Sequence, residues 1–106
     1  MSYLEIILGP MFAGKTSKLI TTYNHLQKSE SVVAVNHTID VRYGNNVISS
    51  HDNIKIPCLM IDDLFDAWFN SRNVNYDELR KNEYIFINEA QFFSDLYYTV
   101  CDMLNN

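Results

Sequence analysis

Along this chain, short apolar runs alternate with stretches in which apolar residues recur every three or four positions. YLEIIL (3–8) is an apolar run closed by Gly9 and Pro10, which predicts a buried strand ending at Leu8. From Gly14 the period changes: Leu19, Ile20, Tyr23 and Leu26 share one helical face, and that helix should fade near Ser29. SVVAVN (31–36) is β-branched and predicts a second strand. Residues 38–50 turn polar around Gly44, Asn45 and Asn46, the composition of a long loop or irregular hairpin, and IKIP (54–57) adds a short strand. Residues 61–70 predict a helix with Asp62 as N-cap and Leu64, Phe65, Trp68 and Phe69 on its apolar face. A short helix follows at 76–82, then a buried strand, YIFIN (84–88). A final amphipathic helix is marked by Phe93, Leu96, Tyr97, Val100 and Leu104. Strands alternating with helices, without repeat or linker, predict an α/β fold with a parallel sheet.

Composition narrows the picture. A chain of 106 residues forms one domain, and 47% apolar with 20% charged residues is the balance of an ordinary globular protein. A net charge of −5 gives no broad basic surface, which argues against nucleic acid and anionic membranes as partners. A small anion needs only local positive charge. No apolar run reaches the length of a membrane span or a signal core, so the expected address is cytoplasmic. Cys58 and Cys101 stand apart without C-x-x-C spacing, so neither a disulfide framework nor a zinc site is expected, and both are read as buried thiols.

The candidate chemistry begins at GPMFAGKT (9–16), which fits G-x-x-x-x-G-K-[ST] in full between a predicted strand and a predicted helix. Successive backbone N–H groups of such a loop form a concave nest for phosphate oxygens, and Gly9 and Gly14 permit the close approach. Lys15 adds positive charge near the β and γ phosphates, and Thr16 offers a hydroxyl to Mg²⁺. The helix N-terminus contributes its own partial positive charge. A triphosphate is the natural ligand of this arrangement.

Pro10, Met11 and Phe12 are not demanded by phosphate binding. Together with DVRY (40–43), HD (51–52) and NEAQFF (88–93) they form an ordered series. That series resembles type II thymidine kinases, whose pattern is G-P-M-F-[SA]-G-K-[ST], then D-x-R-Y, H-D and D-E-[GA]-Q-F-F. The resemblance covers almost the whole chain. It implies a P-loop NTPase of RecA-like type and phosphoryl transfer from ATP to the 5′-hydroxyl of thymidine. Carried over by position, it implies that Gly9, Pro10, Met11, Phe12, Ala13, Gly14, Lys15 and Thr16 bind ATP, with Asp40, Val41 and Arg42 near its phosphates. Glu89 would be the general base, with Asn88, Ala90 and Gln91 in the nucleotide-facing turn. Met11 and Phe92 would wall the nucleoside pocket, and Thr16 with Asn88 would place Mg²⁺. His51 is read as structural.

Two departures from the family pattern qualify the expected activity. The family has Asp where this chain has Asn88, and an amide keeps an acceptor oxygen but discards the charge. Losing an anion beside a divalent cation costs on the order of a few kcal/mol at an effective dielectric near 20, and each ~1.4 kcal/mol expressed in the transition state is tenfold in rate. The second departure is that the chain ends at Asn106, whereas the family continues with further strands, a thymidine-covering loop and a zinc module of paired cysteines. The sheet is therefore expected to be incomplete on its C-terminal side. A vacancy would separate strand 3–8 from strand 84–88, leaving edges that a second copy or a complementing chain would fill. The alternative to an impaired kinase is a nucleotide-binding or interaction module without catalysis. A further alternative is another small P-loop NTPase.

Overall fold

In chain order the elements are β1 (Tyr3–Ile6), α1 (Lys15–Leu26), β2 (Val32–His37), β3 (Val47–Ser49), β4 (Lys55–Pro57), β5 (Leu59–Ile61), α2 (Leu64–Phe69), α3 (Tyr76–Lys81), β6 (Tyr84–Ile87) and α4 (Leu96–Asn105). The computed structural model describes residues 3–6, 15–38, 46–50 and 52–105, with residues 3–6 and Lys15 described in their backbone alone. The predicted end of the first strand, at residues 7–8, lies outside that set.

The main sheet is parallel and four-stranded, in the order β1-β6-β2-β5. Its central strands are apolar on both faces because both faces are covered. Val33, Val35, Ile85 and Ile87 point to one side, where they pack with Leu64, Trp68, Leu79 and Met103 from α2, α3 and α4. Ala34 and Phe86 point to the other and meet Leu19, Ile20 and Tyr23 of α1, with Ile48 and Ile56 from the antiparallel β3–β4 hairpin. The hairpin resolves the polar stretch of the sequence in favour of the hairpin alternative. Asn46 and Asn53 beside its strands take φ of 67° and 61°, the left-handed region that Asn tolerates better than most residues.

Arg80 joins the helices of the first core. Its guanidinium lies 4.1 Å from the Trp68 ring centroid and donates twice to the Trp68 carbonyl, at 3.0 and 2.6 Å, while the Trp68 indole N–H donates to Asp102 at 2.8 Å. α2, α3 and α4 are thereby tied to one another by cation–π and hydrogen-bond contacts.

Several sequence expectations change. No vacancy separates β1 from β6: the two pair directly over Tyr3↔Tyr84 to Ile6↔Ile87, which satisfies the backbone groups that would otherwise face an opening. β5 is a strand that the sequence pattern does not predict, because Ile61 also fits the helical period; only its pairing with β2 distinguishes the two. The N-cap of α2 is accordingly Asp63, whose carboxylate accepts from the Asp66 N–H at 3.0 Å, and not Asp62. On α2 the buried residues are Leu64, Ala67 and Trp68, and Phe65 is exposed. On α4 the buried positions are Thr99 and Met103, while Tyr97 and Leu104 face outward. Tyrosine satisfies either face in a sequence pattern, since its ring is apolar and its hydroxyl is not. Cys58 is buried as expected, whereas Cys101 is half-buried.

Candidate functional site

The register of the parallel strands determines what meets at their carboxyl ends. Ile6 of β1 and Val35 of β2 both lie opposite Ile87 of β6, so the carboxyl ends of these three strands lie side by side. In open α/β sheets, ligand crevices lie outside this edge. The segment after β1 runs into α1, whose first residues are Lys15 and Thr16, the latter half-buried. Gly9, Pro10, Met11, Phe12, Ala13 and Gly14 lie outside the described residues, as do Asp40, Val41, Arg42 and His51.

The turn after β6 is described in detail. Asn88 continues the ladder by one bond, its N–H donating to the Val35 carbonyl at 2.8 Å. Its side chain is buried, and Nδ2 donates to Asn36 Oδ1 at 3.4 Å. Glu89 then takes φ 57° and ψ 39°. For a residue with a Cβ this left-handed conformation costs roughly 1–2 kcal/mol, and it stops the strand within one residue. A single 3-10 turn follows over Ala90–Phe92, closed by Phe92 N–H to Glu89 O and Phe93 N–H to Ala90 O, each at 3.1 Å.

That turn sorts its side chains. Ala90 is fully buried in the core, where it anchors the turn, and presents no surface to a ligand. Gln91 is exposed, and its Nε2 donates to Glu89 Oε2 at 3.0 Å. A carboxylate carries two acceptor oxygens, so this bond orients Glu89 and leaves its chemistry as a proton acceptor intact. Phe93 turns inward at 5% exposure and Phe92 outward at 46%. The His37 ring lies beside both, with centroids 4.8 Å from Phe93 and 5.8 Å from Phe92.

Asn88, Glu89, Gln91 and Phe92 are thus brought to one edge, and α1 opens from the segment that leaves the same edge. Sequence reasoning missed Asn36 and His37 at the end of β2. A polar pair closing the apolar run SVVAV was the available signal, because a parallel strand buried on both faces has no internal reason to end in Asn-His. Among the described residues there is no group of three or more His, Cys, Asp and Glu suited to a metal. The donors that fit Mg²⁺ are the Thr16 hydroxyl and the Asn88 amide oxygen. With Nδ2 engaged by Asn36, that oxygen is the remaining polar atom of the Asn88 side chain, and it is a neutral hard ligand of acceptable type. No helix among the described residues is long and apolar enough to cross a membrane.

Comparison with known proteins places the chain's sequence beside one family. The family model described as thymidine kinase matches residues 2–106. The chain is 32% identical over 104 residues to thymidine kinase a of Arabidopsis thaliana, covering 97% of this chain and 42% of that protein. It is 33% identical over 105 residues to the thymidine kinase of Yaba monkey tumor virus, covering 98% and 52%. With the thymidine kinase of Choristoneura fumiferana entomopoxvirus it shares 37% identity over 111 residues, covering 97% and 55%. The chain therefore spans about half the length of these relatives.

Proposed function

The chain belongs to the thymidine kinase family, and from that premise we propose that its carboxyl edge binds ATP and transfers the terminal phosphoryl group to the 5′-hydroxyl of thymidine. The observation that carries the reading is the parallel register Ile6↔Ile87, by which Glu89 follows β6 at the edge where the segment after β1 departs. In this reading the backbone of residues 9–14 cradles the phosphates and Lys15 neutralises their charge. Asp40, Val41 and Arg42 flank them, and Met11 and Phe92 wall the nucleoside.

Glu89 accepts the proton of the 5′-hydroxyl as that oxygen attacks the γ-phosphorus and the bond to the leaving ADP breaks. Gln91 holds the carboxylate in place through its bond to Oε2. Thr16 and Asn88 would hold Mg²⁺, which when bound would supply charge neutralisation to the phosphates.

The test is thymidine phosphorylation by the folded chain with ATP and Mg²⁺. Formation of thymidine monophosphate, together with loss of at least tenfold in ATP affinity in Lys15→Ala, is expected. Unchanged affinity in that variant counts against the loop as the nucleotide site.

A second reading, nucleotide binding without transfer, is favoured by one observation: residue 88 is neutral and its amide nitrogen is already held by Asn36. It predicts ATP binding in a chain with no turnover. Self-association through the outer edges of β1 or β5 belongs to this second reading, and size measurement in solution tests it.

A further inference from the structure

One amide oxygen at the carboxyl edge serves two donors. Asn36 Oδ1 accepts from the His37 backbone N–H at 3.0 Å and from Asn88 Nδ2 at 3.4 Å. Both side chains are nearly sealed from solvent, at 2% and 4% exposure. The bond from His37 fixes which end of the Asn36 amide lies at this place, because rotating the amide to present Nδ2 would set it against a backbone donor. Residue 88 therefore meets an acceptor. An asparagine there answers with N–H, and the oxygen on its other arm is turned away from Asn36. An aspartate at neutral pH has only acceptors, and its charge would face the Asn36 oxygen in a site that water scarcely reaches.

We propose that Asn36 is a positioning residue that selects a neutral hydrogen-bond donor at residue 88, so that the Asn36–Asn88 pair, and not a strand-end carboxylate, forms the polar floor of the phosphate-facing edge. The neutral residue 88 is then matched to its surroundings. A carboxylate restored there by itself loses a hydrogen bond, and a donor-only partner at residue 36 is needed to accommodate it. The link to metal placement rests on the proposed nucleotide site, whereas the pairing is a property of the folded chain alone.

The experiment compares thermal unfolding midpoints in metal-free buffer at pH 7 for the parent, Asn88→Asp, Asn36→Lys and the double variant. Asn88→Asp should lower the midpoint by about 4–8 °C, the shift that ~1 kcal/mol produces in a domain of this size. The double variant should lie above the sum of the two single changes, because lysine only donates and its charge pairs with the carboxylate. Additive changes, or an Asn88→Asp midpoint at or above the parent's, would overturn the pairing. If the charged variants do not fold, Asn88→Ser and Asn88→Ala carry the same test. Serine keeps a donor, so Ser above Ala supports the pairing and Ala at or above Ser overturns it.

A second readout is the Mg²⁺ dependence of ATP affinity. It should strengthen at least tenfold in the double variant and less than threefold in Asn88→Asp. Equal strengthening in both would remove Asn36 from the metal's surroundings. Absence of ATP binding in every variant, the parent included, would defeat the proposed function while the unfolding midpoints still decide the pairing.

Discussion

The middle of the parallel sheet and its carboxyl edge lie one residue apart in sequence and obey opposite rules. Ile85, Phe86 and Ile87 are wholly buried and apolar; the next residue, Asn88, is buried and polar, and the one after it, Glu89, is left-handed. β2 repeats the change, with Val33, Ala34 and Val35 giving way to Asn36 and His37. The interior gains stability from every residue it buries. The edge spends some of that gain on a backbone conformation that an L-residue avoids and on polar groups that need partners. A left-handed Glu89 and the buried Asn36–Asn88 pair fall together at the ends of β6 and β2, and the apolar interior is what holds them there.

Substitutions across the boundary should separate the two regimes. Glu89→Gln keeps size and an acceptor oxygen but removes the proposed base, so thymidine phosphorylation should fall by about 10²–10⁴-fold. ATP affinity and the unfolding midpoint should stay near those of the parent, and full turnover in this variant would break the division at its sharpest point. Phe86→Ala acts on the other side. Its ring is fully buried and lies 6.2 Å from that of Tyr23, and its removal should cost about 3–5 kcal/mol in denaturant unfolding.

Glu89→Gly sharpens the comparison more finely. It relieves the left-handed penalty while deleting the carboxylate, so unfolding free energy should hold or rise by up to about 1 kcal/mol as turnover is lost. A clear loss of stability would mean that the Glu89 side chain, and not its function, keeps the turn in place. The smallest effect is expected at Tyr23. Burial, and then the neighbouring Cys58, hold its phenol above the ordinary 10.0, so the folded chain retains a proton that the unfolded chain releases. That contribution is full below pH 10.0 and is lost as pH rises beyond it. Tyr23→Phe should flatten this alkaline decline in a pH series of unfolding midpoints.

How much was legible depended on whether a signal was local. β2, α3 and β6 follow from periodicity within a residue of their observed bounds, whereas α1 ends at Leu26, short of the expected Ser29. The stretch from Asn88 to Phe92 was legible as a family motif because its residue types are informative in order. β5 was not, since three apolar residues before a helix carry no strand signature until β2 lies beside them. The outward faces of Tyr97 and Leu104 were misread for a related reason: the apolar positions of α4 fit more than one stripe, and only packing against the sheet chooses Thr99 and Met103.

Sequence by itself determined the α/β class and the family and offered candidates for phosphate and proton chemistry, because each rests on residue type at short spacing. Tertiary structure decided that β1 pairs directly with β6, that Glu89 is left-handed and held by Gln91, and that Asn36 answers Asn88 across the sheet. Those outcomes depend on strand pairing and amide orientation between residues far apart in the chain, 52 positions for Asn36 and Asn88 and more for Tyr3 and Tyr84, and a one-dimensional pattern carries no record of either.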